Sequence, residues 1–312
     1  MFSGSIVALI TPFLNGEIDL TAIKKLVNWH VDQGTNAIVA CGSTGEAALL
    51  NNSERRLVIE TVIRENDGRL PIIVGCGAPS THEVMAMMRE AKELGADAAL
   101  VVTPYYVKPT PEGIFQHFKA LNEAIELPII IYNNPGRAVV GLSVELVVRL
   151  AELTNVVGIK DSCEDLTRVI KMRQQIKKPF SFLSGDDPIA TAYLAHGGDG
   201  VISVSANVVP KLCSQMVAAW KQRDLDLFSS LRDKLLPLHE AMFVEANPAP
   251  AKYVMSQLQL ITEEVRLPLV PASAAARQKL DQVIKSVGLI ALKGGSETAT
   301  QMAISYGEES AA

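Results

Sequence analysis

Lys160 closes a short apolar run, Val156-Val157-Gly158-Ile159, and is followed at once by Asp161. Strand periodicity and length put such a lysine at the end of the run rather than on a solvent face. Desolvation enlarges the neutral fraction of an amine, and a neutral amine can attack a carbonyl to form an imine. The competing reading is a structural ion pair with Asp161 or Asp186. Tyr132 ends a second run, and a phenol within reach of an imine-forming amine can carry protons through carbinolamine formation and dehydration; taken alone, it reads as core packing. Arg137, five residues further on, offers a planar fork for a carboxylate or, more blandly, a surface ion pair. The turn Gly42-Ser43-Thr44-Gly45-Glu46 sets two hydroxyls between glycines, which suits an anion held by hydroxyl and backbone N–H groups, although alone it is a weak signal.

These residues need a frame that brings strand ends together. Eight short apolar runs recur: Ile6–Ile10, Ala37–Ala40, Pro71–Val74, Ala98–Val102, Pro128–Tyr132, Val156–Ile159, Phe180–Leu183 and Val201–Val204. Their near-continuous apolar character suits strands buried on both faces, as in a parallel sheet. Helical segments are expected between them: Glu54–Glu65 capped by Ser53, Glu83–Leu94 after Ser80 with Gly95 as stop, Pro111–Ala124, Val144–Leu153, Leu166–Ile176, Pro188–Ala195 and Pro210–Arg223. Eight alternations in 312 residues predict a single α/β domain, a (β/α)8 TIM barrel over residues 1–223. Residues 224–292 read as appended helices at Leu225–Val244, Ala249–Leu260 and Ala274–Val287, the last with Ser273 as N-cap, and 293–312 as a weakly anchored tail. In such barrels chemistry gathers at the C-terminal strand ends, where Thr103-Pro104-Tyr105-Tyr106 and Gly185-Asp186-Asp187 join the groups above.

Composition narrows the partners. A net charge of −5 without a basic stripe argues against nucleic acid. The apolar run ending before Pro12 is too short for a signal peptide or membrane span, so a cytoplasmic protein is expected. Cys41, Cys76, Cys163 and Cys213 lie far apart with no metal-ligand spacing and read as reduced thiols, and no phosphate-binding loop is present. None of the five histidines, His30, His82, His117, His196 and His239, falls at a strand end, so each reads as packing or helix surface.

Taken in order, Gly42-Ser43-Thr44-Gly45-Glu46, Tyr132-Asn133-Asn134-Pro135-Gly136-Arg137, Gly158-Ile159-Lys160-Asp161 and Leu183-Ser184-Gly185-Asp186-Asp187 resemble the dihydrodipicolinate synthase and N-acetylneuraminate lyase family. The resemblance covers about the first 290 residues and includes Val244-Glu245-Ala246-Asn247-Pro248. An arginine after the Tyr-Asn-x-Pro-x turn is the synthase pattern, so the resemblance implies condensation of pyruvate with aspartate semialdehyde, the first committed step toward diaminopimelate and lysine, without metal or organic cofactor. It further implies that Lys160 forms the pyruvate imine and that Tyr132, Ser43 and Tyr106 relay protons, Tyr106 coming from a neighbouring subunit. Thr44 would hold the pyruvate carboxylate, Arg137 that of the aldehyde, and Gly185 and Ile202 would line the pocket of a homotetramer, a dimer of dimers. Ser43 departs from the usual threonine, and Ala138-Val139 from a threonine and a small residue. Two alternatives remain: an aldolase for a keto sugar acid such as N-acetylneuraminate, and a non-catalytic keto-acid-binding barrel.

In lysine-inhibited members of the family the effector sits in a cleft at the dimer interface. The matching residues here are Ala47, Asn52, Arg55, Pro79, Glu83 and Tyr105. Glu83 and Tyr105 fit the pattern, whereas alanine and proline remove polar contacts and an inward Arg55 would repel the ligand's amines, so weak or absent inhibition is expected.

Overall fold

A computed structural model describes residues 1–290 and the pair 305–306. Eight parallel strands, β1 (Gly4–Ala8), β2 (Ala37–Ala40), β3 (Ile72–Gly75), β4 (Ala98–Val102), β5 (Ile129–Asn133), β6 (Val156–Asp161), β7 (Ser181–Ser184) and β8 (Gly200–Ser203), close into a barrel with each strand beside its sequence neighbour and β1 beside β8. Every predicted strand is present within two residues. The apolar residues divide by strand alternation: Ile6, Val39, Ile73, Leu100, Ile130 and Leu183 fill the lumen, while Val7, Ile38, Val74, Val101, Ile131 and Ile159 face the helices.

Around the barrel run α1 (Leu20–Asp32), α2 (Asn52–Asn66), α3 (Thr81–Leu94), α4 (Pro111–Ala124), α5 (Val144–Ala151), α6 (Thr167–Gln175), α7 (Ala190–Ala195) and α8 (Pro210–Gln222). α1, capped by Asp19, lies where the sequence reading placed no helix. The start of α2 also differs. Asn51, not Ser53, is the cap: its side chain accepts from Glu54 N while the Glu54 carboxylate accepts from Asn51 N. This reciprocal capping box satisfies two helix-end donors, and Ser53 merely donates to Asn51.

Three C-terminal helices, α9 (Leu225–Ala241), α10 (Ala249–Gln257) and α11 (Ala274–Val287), follow, with α9 against α8 and α11 against both α9 and α10. Ser273 caps α11 as expected. Ser305–Tyr306 pair antiparallel with Leu289–Ile290; the rest of the predicted tail from residue 293 lies outside the described residues. Among the described residues no helix is long and apolar enough to cross a membrane. All four cysteines are free, and Cys41, Cys76 and Cys213 are buried.

His30 and His117 are buried, each with Nδ1 against a threonine hydroxyl, Thr35 and Thr81 respectively. Burial pulls their pKa values from 6.5 to about 3 and about 4. Both are neutral in either state above pH 6.5, but below it only the unfolded chain takes up the protons. Stability is therefore expected to fall with acidification by about 1.4 kcal/mol per pH unit for each histidine, until its folded pKa is reached. Urea midpoints between pH 7 and 4.5 test this: His30→Gln and His117→Gln should flatten the decline, and an unchanged slope in both would refute it.

Candidate active site

The site assembles at the C-terminal ends of β2, β5, β6 and β7. On β6, Ile159 faces the helices, so alternation turns Lys160 into the lumen, where it is 5% exposed. Across the β5–β6 pairing Tyr132 stands directly opposite Lys160, and the lysine Nζ lies 4.2 Å from the centre of the tyrosine ring. Lys160 makes no ion pair among the described residues. Asp161 points the other way, where it accepts from Asn133 Nδ2 at 2.7 Å and pairs with Arg168 at 3.1 Å. Asp186 faces the backbone of Ile189, and burial holds its carboxyl above the usual range. The ion-pair reading of Lys160 therefore has no carboxylate to rest on.

Burial alone would push the Tyr132 phenol upward. The charge of Lys160, the Asn134 and Ser162 side chains and the charge of Arg137 outweigh it, leaving the phenol below its ordinary value. Asn134 Nδ2 donates to the phenol oxygen at 2.7 Å, and Asn134 also caps the short turn of Pro135–Ala138 that carries Arg137. The Arg137 side chain is exposed at the rim. Val139 ends that turn at φ +67°, a conformation a β-branched residue adopts only under strain.

Gly185 belongs where it is because nothing larger fits. A Cβ there would meet Ser162 Oγ at 2.2 Å and Lys160 Cε at 3.0 Å. Ser162 donates to the Gly185 carbonyl at 3.0 Å, which ties the end of β7 to the residues after Lys160. Ile202 is buried in the lumen wall beside Ile6.

Three residues of the turn after β2 are gripped from outside it. Thr44, 2% exposed, accepts from Asn247 Nδ2 at 2.9 Å. Thr11 Oγ1 donates to the Gly45 carbonyl at 2.7 Å. Glu46, buried at φ +54°, forms an ion pair with the fully buried Lys252 of α10 and accepts from Arg266 N at 2.9 Å. Ser43 has no such grip and is exposed.

Lys160, Tyr132, Thr44, Gly185 and Ile202 thus share the barrel mouth with Arg137 at its rim. Tyr106 does not join them: it is 91% exposed at φ +71°, and no hydrogen bond links it or Ser43 to Tyr132. Among the regulatory candidates, Glu83 lies near enough for its charge, after burial, to raise the Tyr105 phenol. Arg55 turns inward, 3% exposed, bound to Glu90 and to the Gly75 carbonyl at 3.1 Å. Asn134 and Asn247 stood inside quoted motifs and Ser162 directly follows one, yet none was assigned a role. Lys252 was missed because a lysine within an apolar helical run gives no local sign of its partner.

A family model described as the dihydrodipicolinate synthetase family matches residues 1–287. The 4-hydroxy-tetrahydrodipicolinate synthase of Parvibaculum lavamentivorans is 50% identical over 290 residues, 93% of this chain and 100% of the relative. A chloride-inhibited dihydrodipicolinate synthase from Acinetobacter baumannii, solved in complex with pyruvate, superposes with a TM-score of 0.91 at 46% identity, covering 93% of this chain and 100% of the other. The lysine-bound enzyme from Cyanidioschyzon merolae gives a TM-score of 0.90 at 34% identity, covering 93% and 99%. With a family match over nearly the whole chain and an amine, a phenol and a hydroxyl turn at one barrel mouth, the chain belongs to the dihydrodipicolinate synthetase family.

Proposed function

We propose that this chain is a Schiff-base lyase that condenses pyruvate with L-aspartate 4-semialdehyde to 4-hydroxy-tetrahydrodipicolinate, the activity named for its relatives of about 50% identity. The observation that carries the chemistry is Lys160: a buried amine at a strand end, facing a phenol and, among the described residues, bound to no carboxylate. The amine adds to the keto carbon of pyruvate, the resulting alcohol leaves as water, and the imine draws electrons from the methyl group when a proton departs. The enamine carbon then bonds to the aldehyde carbon, whose oxygen takes up a proton, and the amine of the second substrate attacks the imine carbon, closing the ring and expelling the Lys160 amine. Tyr132, whose phenol is held below its ordinary value, exchanges the protons of these steps. Thr44 binds the pyruvate carboxylate, while Gly185 and Ile202 bound the space beside the imine. No metal or organic cofactor enters the scheme.

The relay from Tyr132 continues through Ser43 to the Tyr106 of a second copy, a role suited to a tyrosine 91% exposed at the rim. A dimer is then the least active unit, and a dimer of dimers in the cytoplasm the working assembly. Borohydride reduction with pyruvate, followed by peptide mass analysis and a coupled assay with aspartate semialdehyde against N-acetylneuraminate, tests the reading. No mass gain at Lys160 would refute it.

Arg137 meets the second carboxylate, so Arg137→Ala is expected to raise the KM for the aldehyde by about tenfold or more and leave pyruvate trapping unchanged. Equal losses for both substrates would remove that role. For the interface cleft, Arg55 presents its cation beside Glu90, where an incoming lysine would bring two amines. Initial rates at fixed pyruvate should be flat up to lysine concentrations on the order of 1 mM; submillimolar inhibition would show that the cleft uses other groups.

A further inference from the structure

We infer that Asn247 is a positioning residue that fixes the polarity of the Thr44 hydroxyl and so directs its hydrogen at the substrate carboxylate. The inference rests on the proposed role of Thr44 as a carboxylate binder. A hydroxyl has one hydrogen and two lone pairs. At Thr44 one lone pair receives Asn247 Nδ2 at 2.9 Å, and an amide nitrogen cannot accept a hydrogen in return. Thr44 is 2% exposed, and among the described residues its hydroxyl donates to no acceptor. The hydrogen is left for an anion entering the barrel mouth. An N–H on Oγ1 also polarises the O–H bond, so the donated hydrogen bond is stronger than that of a free threonine.

Asn247 is itself held for this task. It is 7% exposed, and its Oδ1 is buried without a partner among the described residues, so the amide is spent on Thr44 alone. Five residues on, Lys252 donates its backbone N–H to the Pro248 carbonyl and pairs through its side chain with Glu46. One stretch of the C-terminal region thereby grips two residues of one turn, Thr44 by a hydrogen bond and Glu46 by charge. The stretch from 247 to 252 is part of the pyruvate site although it lies far from the strand ends in sequence.

The test is a double-mutant cycle on the full-length protein with pyruvate and the aldehyde varied separately. Asn247→Ala should raise the pyruvate KM by about fivefold to tenfold and the aldehyde KM by less than about twofold. Thr44→Val removes the hydroxyl at constant shape, and on that background Asn247→Ala should change the pyruvate KM no further. Asn247→Asp, which offers an acceptor where the amide offers a donor, should turn the hydroxyl away and be worse than alanine. Additive effects of Asn247→Ala and Thr44→Val, equal rises in both KM values, or an Asn247→Asp enzyme with normal pyruvate KM would each overturn the inference. If Asn247→Asp fails to fold, the alanine and valine cycle still decides. Pyruvate trapping by borohydride in the unaltered protein separates the two failures: no trapping defeats the proposed function, whereas trapping with an additive cycle defeats only the role of Asn247.

Discussion

Lys160→Ala is expected to abolish the borohydride-stable adduct with pyruvate and to lower turnover by more than about a thousandfold, because the imine has no other amine to form on. Among the described lysines burial pulls down the pKa of Lys178, whose amine donates to the Leu153 carbonyl, and further that of Lys252, to about 8. The Lys252 ammonium is committed, however, to Glu46, to the Glu264 carbonyl at 2.8 Å and to the face of Phe13 at 4.2 Å. It also lies on α10 rather than at a strand end. Lys160 shares only the aromatic contact, with Tyr132 at 4.2 Å, and pairs with no carboxylate among the described residues, so its removal deletes a buried amine without stranding a charge. The variant should unfold at the same temperature as the parent or above it. Adduct that persists on Lys252, or a Lys160→Ala enzyme that turns over normally, would defeat the assignment.

The second large effect is on stability. Lys252→Met should cost about 3–5 kcal/mol, because Glu46 then keeps its charge in the interior with only the Arg266 guanidinium, already paired with Glu54, near it. The double variant Glu46→Gln/Lys252→Met should recover most of that loss, since the glutamine carbonyl can still accept from Arg266 N and no charge remains buried. The pH dependence supplies a second signature. The folded pKa of Lys252, about 8, lies below the ordinary 10.5, so the pair's neighbourhood disfavours the charged lysine relative to water. Between pH 10.5 and 8 the unfolded chain holds a proton that the folded chain lacks. The Lys252 contribution to stability therefore declines as pH falls through that window and is level below it. Denaturant unfolding of the parent, single and double variants at pH 7 measures the effect. A single variant within about 1 kcal/mol of the parent would show that the pair does not anchor the turn.

The sequence alone determined the barrel, because its cause is local: eight apolar, β-branched runs with helical stretches between most of them have one economical closed arrangement. It also determined the facing of Lys160, since a period of two fixes its side once Ile159 faces the helices. The motifs supplied the family and the candidate residues. Local signals failed at helix starts, where Asn51 and Ser53 are equally good caps on paper and only the reciprocal bond with Glu54 chose between them. What the tertiary structure decided were the pairings between residues far apart in the chain: Asn247 with Thr44, Lys252 with Glu46, Arg55 with Glu90, and Lys160 with no carboxylate among the described residues. Charge and hydrogen-bond capacity are properties of a residue type, but which group satisfies them depends on which strand ends and helices converge. A lysine in the sequence is therefore the same letter whether it is clamped, as Lys252 is, or left free to react, as Lys160 is.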